Sequence, residues 1–505
     1  MRIVAAQVPQ KALIAAFLLY SFLLIVWSFV AIESGTSRNW PFITSLAQVV
    51  WVAMYLAGTL VYFRTAFLFS TAYLIALLMF HTGLFWRFGF GLIGIQHWEG
   101  PFGQWIFEAE WYTSMALGAF GCGFATFCLA SRRLAVPSRT KPSQLSNYNL
   151  KRLRVIGMGL LFASACLMFL TLVQQGNILK LSRVELFYRN DPRVIGVFMM
   201  LFPPGILILF LTARTATQRI IAYVAAGLGF LILLLSGTRS MALYPALTGL
   251  ILWYKLGRRV PLPLLAGGFF FVLLSIPVVG YLRDSSYEDI SIDQITQTAK
   301  EADVGSAVNE LGGTIGVLAH TVRIVPREEP YRLGNTYLIY LQQLIPTIGS
   351  ANDTSQSRQQ LKRNIAERGK EALFDMRPTD WASYHIIPEQ FAAGGGTGFS
   401  AVGEAYFNFG PTGIIFIFAL FGTLLARMDS VLLSEHYRTL LFATLFFSPF
   451  LMTVRNDFGI FIKPSEYTAI VAALWLLLLR FLPKTKAGGK PMPAPAQALS
   501  TSLEK

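Results

Sequence analysis

The sequence predicts an all-α polytopic membrane protein of about twelve transmembrane helices, with one large helical loop on the outer side between spans 9 and 10. Three observations carry that prediction. Hydrophobic residues make up 54% of the 505 and charged residues only 14%, a balance that a soluble core cannot hide. Apolar runs near the length needed to cross about 30 Å of hydrocarbon recur along the chain. One stretch, from about Arg283 to Ser400, breaks the pattern and carries 15 of the 27 acidic residues.

The candidate spans, in order, are Lys11 to Ile32, Pro41 to Phe63, Ala66 to Phe85, Trp111 to Ser131, Val155 to Gln175, Val194 to Thr212, Ile220 to Ser236, Met241 to Tyr254, Leu262 to Tyr281, Ala401 to Ala426, Thr439 to Val454 and Ser465 to Leu482. The first run is too long for a signal-peptide core and lacks a small-residue cleavage site, so it reads as a retained helix. The eighth is short. Between spans 3 and 4, Trp86 to Glu110 has the aromatic content of a segment lying at headgroup depth. The division that follows is 1–281 for spans 1 to 9, 282–400 for the loop, 401–482 for spans 10 to 12, and a disordered tail over 483–505.

Arginine and lysine placement sets the orientation, because cytoplasmic loops retain an excess of them. With the N-terminus inside, that side holds 22 basic and 3 acidic residues, against 20 basic and 24 acidic outside. Both termini are therefore expected in the cytoplasm and the long loop outside, in the periplasm. The high pI is an orientation signal and implies no nucleic-acid partner, since no basic stretch interleaves with aromatics on a soluble domain. Cys122, Cys128 and Cys166 all fall in apolar runs, where a thiol packs as a small hydrophobe and no disulfide framework follows. No cysteine–histidine grouping suggests a metal site.

Several basic residues run against the inside preference: Lys180, Arg183, Arg189 and Arg193, then Arg239, Arg283, Arg323, Arg455 and Lys463. A guanidinium at the outer face can grip a diphosphate, because its planar fork matches phosphate oxygens and keeps its charge. It can equally anchor to lipid headgroups or pair with outer carboxylates. Arg239 stands apart. It sits in the polar turn Ser236-Gly237-Thr238-Arg239-Ser240 between two apolar helices, where a charge marks a functional site unless it snorkels to the interface. The neighbouring small residues leave backbone N–H groups free for an anion.

The loop reads as mostly helical. Val308, Leu311, Ile315, Leu318 and Val322 form one stripe of a helix over Val304 to Val322. Gly313, Gly316, His320 and Arg323 form another, open either to glycine-mediated packing or to a ligand. Glu329-Pro330-Tyr331-Arg332-Leu333-Gly334-Asn335-Thr336-Tyr337 is a turn into an apolar helix that stops at Pro346. Ser357 to Phe374 is a charged, solvated helix, and Gly394 to Gly396 a flexible hinge. Span 10 then opens with Glu404 and Asn408 one turn apart on one face, before Gly410-Pro411 kinks it. A carboxylate there requires a cation, a polar network or a substrate, and Glu404 is expected to face the external cavity.

The polar SGTRS turn, the EPYRLGNTYL segment before a helix ending in proline, and GFSAVGEAYFNFGPTG leading back into the membrane together resemble the O-antigen polysaccharide polymerases, the Wzy family. The resemblance covers most of the chain after residue 176. Arg323, ten residues and Gly334 also match an arginine-ten-glycine spacing of such polymerases, with no second copy at Arg183, Arg189 or Arg193. The resemblance implies a lipid-dependent GT-C type glycosyltransferase of the bacterial inner membrane. Its substrates would be glycan repeat units linked to undecaprenyl diphosphate, with membrane lipid around it and a chain-length regulator as a further partner. Glu404, then His320, would take the acceptor proton. Arg239 and Arg323, with Arg183, Arg189 and Arg455, would hold the diphosphate, and Tyr337, Tyr406 and Asn408 would meet the glycan. No cofactor is implied, and without a DxD-like pair the transfer is expected to be metal-independent.

Two other activities fit part of the pattern. An O-antigen ligase uses the same donor but passes finished polymer to lipid A core. A transporter or flippase of lipid-linked sugars would place ionisable groups near the midplane, often in two repeated halves; here they collect at the outer rim and no repeat is evident.

Overall fold

The computed structural model describes residues 2–34, 40–94, 103–131, 147–175, 192–235, 239–255, 292–301, 303–342, 363–392, 396–432 and 437–481, with single residues at 263, 267, 276 and 278. Among them there is no strand. The long helices are α1 (Arg2–Ser34), α2 (Trp40–Tyr62), α3 (Phe69–Leu77), which runs through a π-helical turn (Leu78–Thr82) into α4 (Gly83–Gly89), then α5 (Gly103–Ala130), α6 (Asn147–Gln175), α7 (Pro192–Thr212), α8 (Ala216–Leu235) and α9 (Arg239–Lys255). The loop region holds α10 (Ile292–Glu301), α11 (Val304–Gly312), α12 (Thr314–Ile324), α13 (Asn335–Gln342), α14 (Lys370–Phe374), α15 (Pro378–Ile386) and α16 (Pro388–Ala392). The chain closes with α17 (Ala401–Leu432), α18 (Tyr437–Met452), a 3-10 turn (Thr453–Arg455) and α19 (Gly459–Phe481).

Among the described residues, five helices are long and apolar enough to cross a membrane: Pro9–Ser34, Trp40–Tyr62, Phe69–Gly89, Trp105–Ala130 and Ala401–Leu432. Helices also stand at the expected positions of spans 5 to 8, 11 and 12. Most of the ninth, Leu262 to Tyr281, lies outside the described residues, as do Ser236 to Thr238, Gly394, Gly395 and the tail. Trp86 and Glu110, the ends of the segment expected at headgroup depth, are both helical, with Glu110 buried in α5, and residues 95–102 between them lie outside the described residues.

Helix α5 is the hub. Against it Ser21 and Ile25 of α1 meet Gly121 and Gly118 in descending order, so α1 runs antiparallel. Gln48 and Tyr55 of α2 meet Glu110 and Phe124 in ascending order, so α2 runs parallel. Tyr406 and Ala419 of α17 meet Tyr112 and Gly123, again parallel. Helix α3 opposes α17, pairing Phe69 with Asp429 and Tyr73 with Phe421. These directions alternate as successive crossings must. The α5–α17 contact is close because a Cβ on Gly123 or Gly422 would overlap the carbonyl of Ala419 or Phe120, the small-residue packing that lets membrane helices touch backbone to backbone. At the far end, buried Asp429 accepts hydrogen bonds from the Phe69 N–H at 2.7 Å and from the Ser70 hydroxyl, supplying the cap that α3 lacks locally.

The loop helices dock on the opposite end of the bundle. Asp303 and Ser306 close a reciprocal capping box that starts α11. Arg87 at the end of α4 donates to Gly305 O at 2.6 Å and Asn309 Oδ1 at 2.5 Å, clamping α11 to that end. The single helix expected over Val304 to Val322 is broken at Gly313 into α11 and α12, where two adjacent glycines offer little resistance to a bend. Its apolar stripe survives the break, with Leu311, Ile315, Leu318 and Val322 all buried. The charged helix expected over Ser357 to Phe374 is likewise interrupted at Gly369 (φ 58°), and its first residues lie outside the described set.

Candidate functional site

The entrance to α17 is a knot between membrane helix and loop. Gly410 takes φ 64°, ψ −151°, and Pro411 follows it. Proline has no N–H, so the Phe407 carbonyl loses its intrahelical donor, and the bend carries Thr412 away from the carbonyl of Asn408. The loop fills both vacancies: Arg332 N–H donates to Phe407 O at 3.0 Å and Leu333 N–H to Asn408 O at 2.9 Å. Gly334 N–H adds a bond to Asn408 Oδ1 at 3.0 Å. The kink therefore creates the acceptors on which the EPYRLGNTYL turn sits.

Glu404 and Asn408, on the predicted common face, complete the knot. Asn408 Nδ2 donates to Thr336 Oγ1 at 2.7 Å and to Glu404 O at 2.8 Å. Glu404 Oε1 accepts from the Thr336 hydroxyl at 2.8 Å and Oε2 from the Phe458 N–H at 2.6 Å. The side chain is 2% exposed, so Glu404 turns into the packed interior and not, as expected, toward an external cavity. Tyr406 donates to Val325 O at 3.0 Å and lies among the rings of Tyr112 and Tyr331, fastening the end of α12. Tyr337 packs edge-on to Phe458, ring centres 5.5 Å apart.

A second carboxylate organises the loop itself. Glu329 Oε2 accepts from Arg332 Nη2 at 2.6 Å and from Trp381 Nε1 at 2.9 Å, and Oε1 lies 3.0 Å from His385 Nε2. Burial opposes ionisation of Glu329, but its contacts with His385, Trp381 and Arg332 outweigh it and hold the carboxyl below its usual range. Arg332 is buried between the rings of Phe374 and Phe407, 4.8 and 4.7 Å from their centres. Burial, only partly offset by the Glu329 charge, lowers its proton affinity.

Arg323 and His320 lie one turn apart on α12, which packs against α5, α15, α17 and the π-helical turn. Burial, then the neighbouring Arg323 and His385, pushes His320 down to about 4, so its imidazole is neutral near pH 7. Nothing stands within 4 Å of a Cβ built on Gly316, and Gly313 meets only the carbonyl of Glu310. Among the described residues no side chain packs against the stripe at its two glycines, while its far end at His320 is buried. Arg455 approaches the same π-helical turn, its guanidinium 5.5 Å over Phe80, and its charge reaches Tyr244 near the start of α9. Arg239 is the first residue of α9. Arg183 and Arg189 lie outside the described residues.

The structure thus brings His320 and Arg323 to one end of the bundle, where Arg455 reaches the same π-helical turn and Glu404, Asn408, Tyr406 and Tyr337 fasten the loop. Sequence reasoning singled out neither Glu329, Arg332, His385, Thr336 nor Phe458. The Glu329–Arg332 spacing of three was a readable hint at an ion pair; the contacts to Trp381 and His385 span more than fifty residues and leave no local pattern. Among the described residues no three metal-ligating side chains cluster.

A family model described as O-antigen polysaccharide polymerase Wzy matches residues 13–486 of the chain. No curated protein and no solved structure matches it.

Proposed function

The chain belongs to the O-antigen polysaccharide polymerase Wzy family, and on that premise we propose that it joins undecaprenyl-diphosphate-linked repeat units into a surface polysaccharide at the periplasmic face of the bacterial inner membrane. The observation that carries this reading is the docking of α12, with His320 and Arg323, on the bundle end where Arg455 approaches the π-helical turn.

The chemistry demands two services. As the bond between the donor's anomeric carbon and its diphosphate breaks, negative charge grows on the diphosphate. Fixed guanidinium groups in a site of low dielectric stabilise it without reorganising. Arg323, Arg455 and Arg239 take that role, joined by Arg183 and Arg189. The acceptor, a neutral hydroxyl, must lose its proton as it attacks. Glu404 has both oxygens engaged, so in this reading it positions the loop and an imidazole receives the proton. Tyr406 and Asn408, expected to meet the glycan, are 2% and 0% exposed and fasten the loop instead, which leaves half-buried Tyr337 as the ring beside the knot for the glycan.

Reconstitution tests the proposal. Purified protein in lipid nanodiscs, given lipid-linked repeat units alone, should produce a ladder of lengthening lipid-linked glycans. Transfer that occurs only when lipid A core is added, with no lengthening, would identify a ligase instead.

A further inference from the structure

We propose that His385 is the base that takes the acceptor hydroxyl's proton and that Glu329 is its positioning residue, an assignment that rests on the polymerase reading above. Among the described residues there are three histidines. His81 is fully buried in the π-helical turn within the bundle. His320 is buried beside Arg323, and a neutral imidazole that holds a proton only below about pH 4 is a weak acceptor near neutrality. His385 differs from both. Its side chain is 20% exposed, at the last turn of α15, and one face is fixed by a carboxylate.

That carboxylate is unusually well held. Glu329 has its other oxygen bonded to Arg332 and Trp381, and Arg332 is clamped by two aromatic rings, so the acceptor offered to His385 is rigid and ionised. The imidazole is also confined laterally, 4.8 Å from the Trp381 ring and 5.3 Å from Tyr384. With Nε2 3.0 Å from Glu329 Oε1, the carboxylate favours the tautomer that carries its proton on Nε2 and leaves the lone pair of a neutral His385 on Nδ1. His385 is also close enough to His320 to act on it electrostatically, which puts the base on the same side as Arg323.

The step balances as follows. The acceptor O–H proton moves to His385 Nδ1 while the oxygen attacks the anomeric carbon of the donor. The new glycosidic C–O bond forms, the C–O bond to diphosphate breaks, and undecaprenyl diphosphate leaves with the electron pair. Glu329 stabilises the imidazolium until its proton passes to water.

The test uses the full-length protein in nanodiscs with lipid-linked repeat units. His385→Gly should lower kcat by roughly 100-fold or more with little change in KM, and added imidazole should restore part of the rate, which a structural role would not allow. Measured per folded protein, because the change also leaves buried Arg332 without its charge partner, Glu329→Gln should lower kcat less in the wild-type background and have almost no further effect on kcat in the His385→Gly background, since residues acting as a unit are not additive. If His385→Gly does not accumulate, His385→Asn replaces it in the kinetics, where loss of kcat at unchanged melting temperature supports the assignment. Wild-type protein that makes no polymer overturns the polymerase reading and the assignment with it. An active wild type with a fully active His385 variant, or with Glu329→Gln and His385→Gly effects that simply add, overturns the assignment alone.

Discussion

Glu404 shows how a residue whose importance is readable can have a role that is not. Its pairing with Asn408 follows from a spacing of four in a helix, but its partners Thr336 and Phe458 lie 68 and 54 residues away and leave no trace in the local pattern. With one oxygen accepting a hydroxyl and the other a backbone N–H, Glu404→Gln would point an amide N–H₂ at one of two donors. Leaving a buried donor unsatisfied costs about 1–3 kcal/mol, so that variant should melt lower and accumulate less, with activity falling in proportion to folded protein. A Glu404→Gln protein of wild-type melting temperature that makes no polymer would return Glu404 to catalysis. At Arg239 the expectation is chemical instead. Arg239→Lys keeps the charge but loses the two-pronged fork, so polymerisation by well-folded variant should largely disappear; near-normal polymer would reduce Arg239 to an interfacial anchor.

The elements were legible where the bilayer dictates them and obscure where the chain folds on itself. Hydrocarbon thickness sets the length of a span, and helices coincide with every expected span whose residues are described. The division of one loop helix into α11 and α12 was not readable, because Gly312 and Gly313 only weaken a helix and packing decides whether it bends. The kink in α17 was readable from Gly410-Pro411; its use as a landing site for the loop was not, because that depends on which segment fills the vacated carbonyls. Gly410 carries a backbone conformation nearly closed to other residues, and a Cβ there would also stand 2.8 Å from Tyr331 Oη. Gly410→Ala should therefore loosen the loop from the bundle, read as faster hydrogen exchange at Arg332 and Leu333 and as lost polymerisation. Unchanged protection at those two amides would mean that the kink does not hold the loop.

For the whole molecule, the alternating directions of α1, α2, α3, α5 and α17 agree with successive crossings, and the loop helices gather at the end where α5 and α17 begin. In the orientation proposed from the charge asymmetry, that end faces outside. Cysteine substituted at Ser357 should then react with an impermeant reagent on intact spheroplasts while cysteine at Ser500 stays protected, in a background without native cysteines; the reverse pattern would invert the topology. The proposed function needs that end to be external, with the loop docked onto the bundle there. The most direct test is the surface polysaccharide of a strain from which the gene is deleted. Polymerase function predicts lipid A core bearing single repeat units, restored to long chains by the intact gene, whereas bare core with lipid-linked polymer accumulating in the membrane would contradict it.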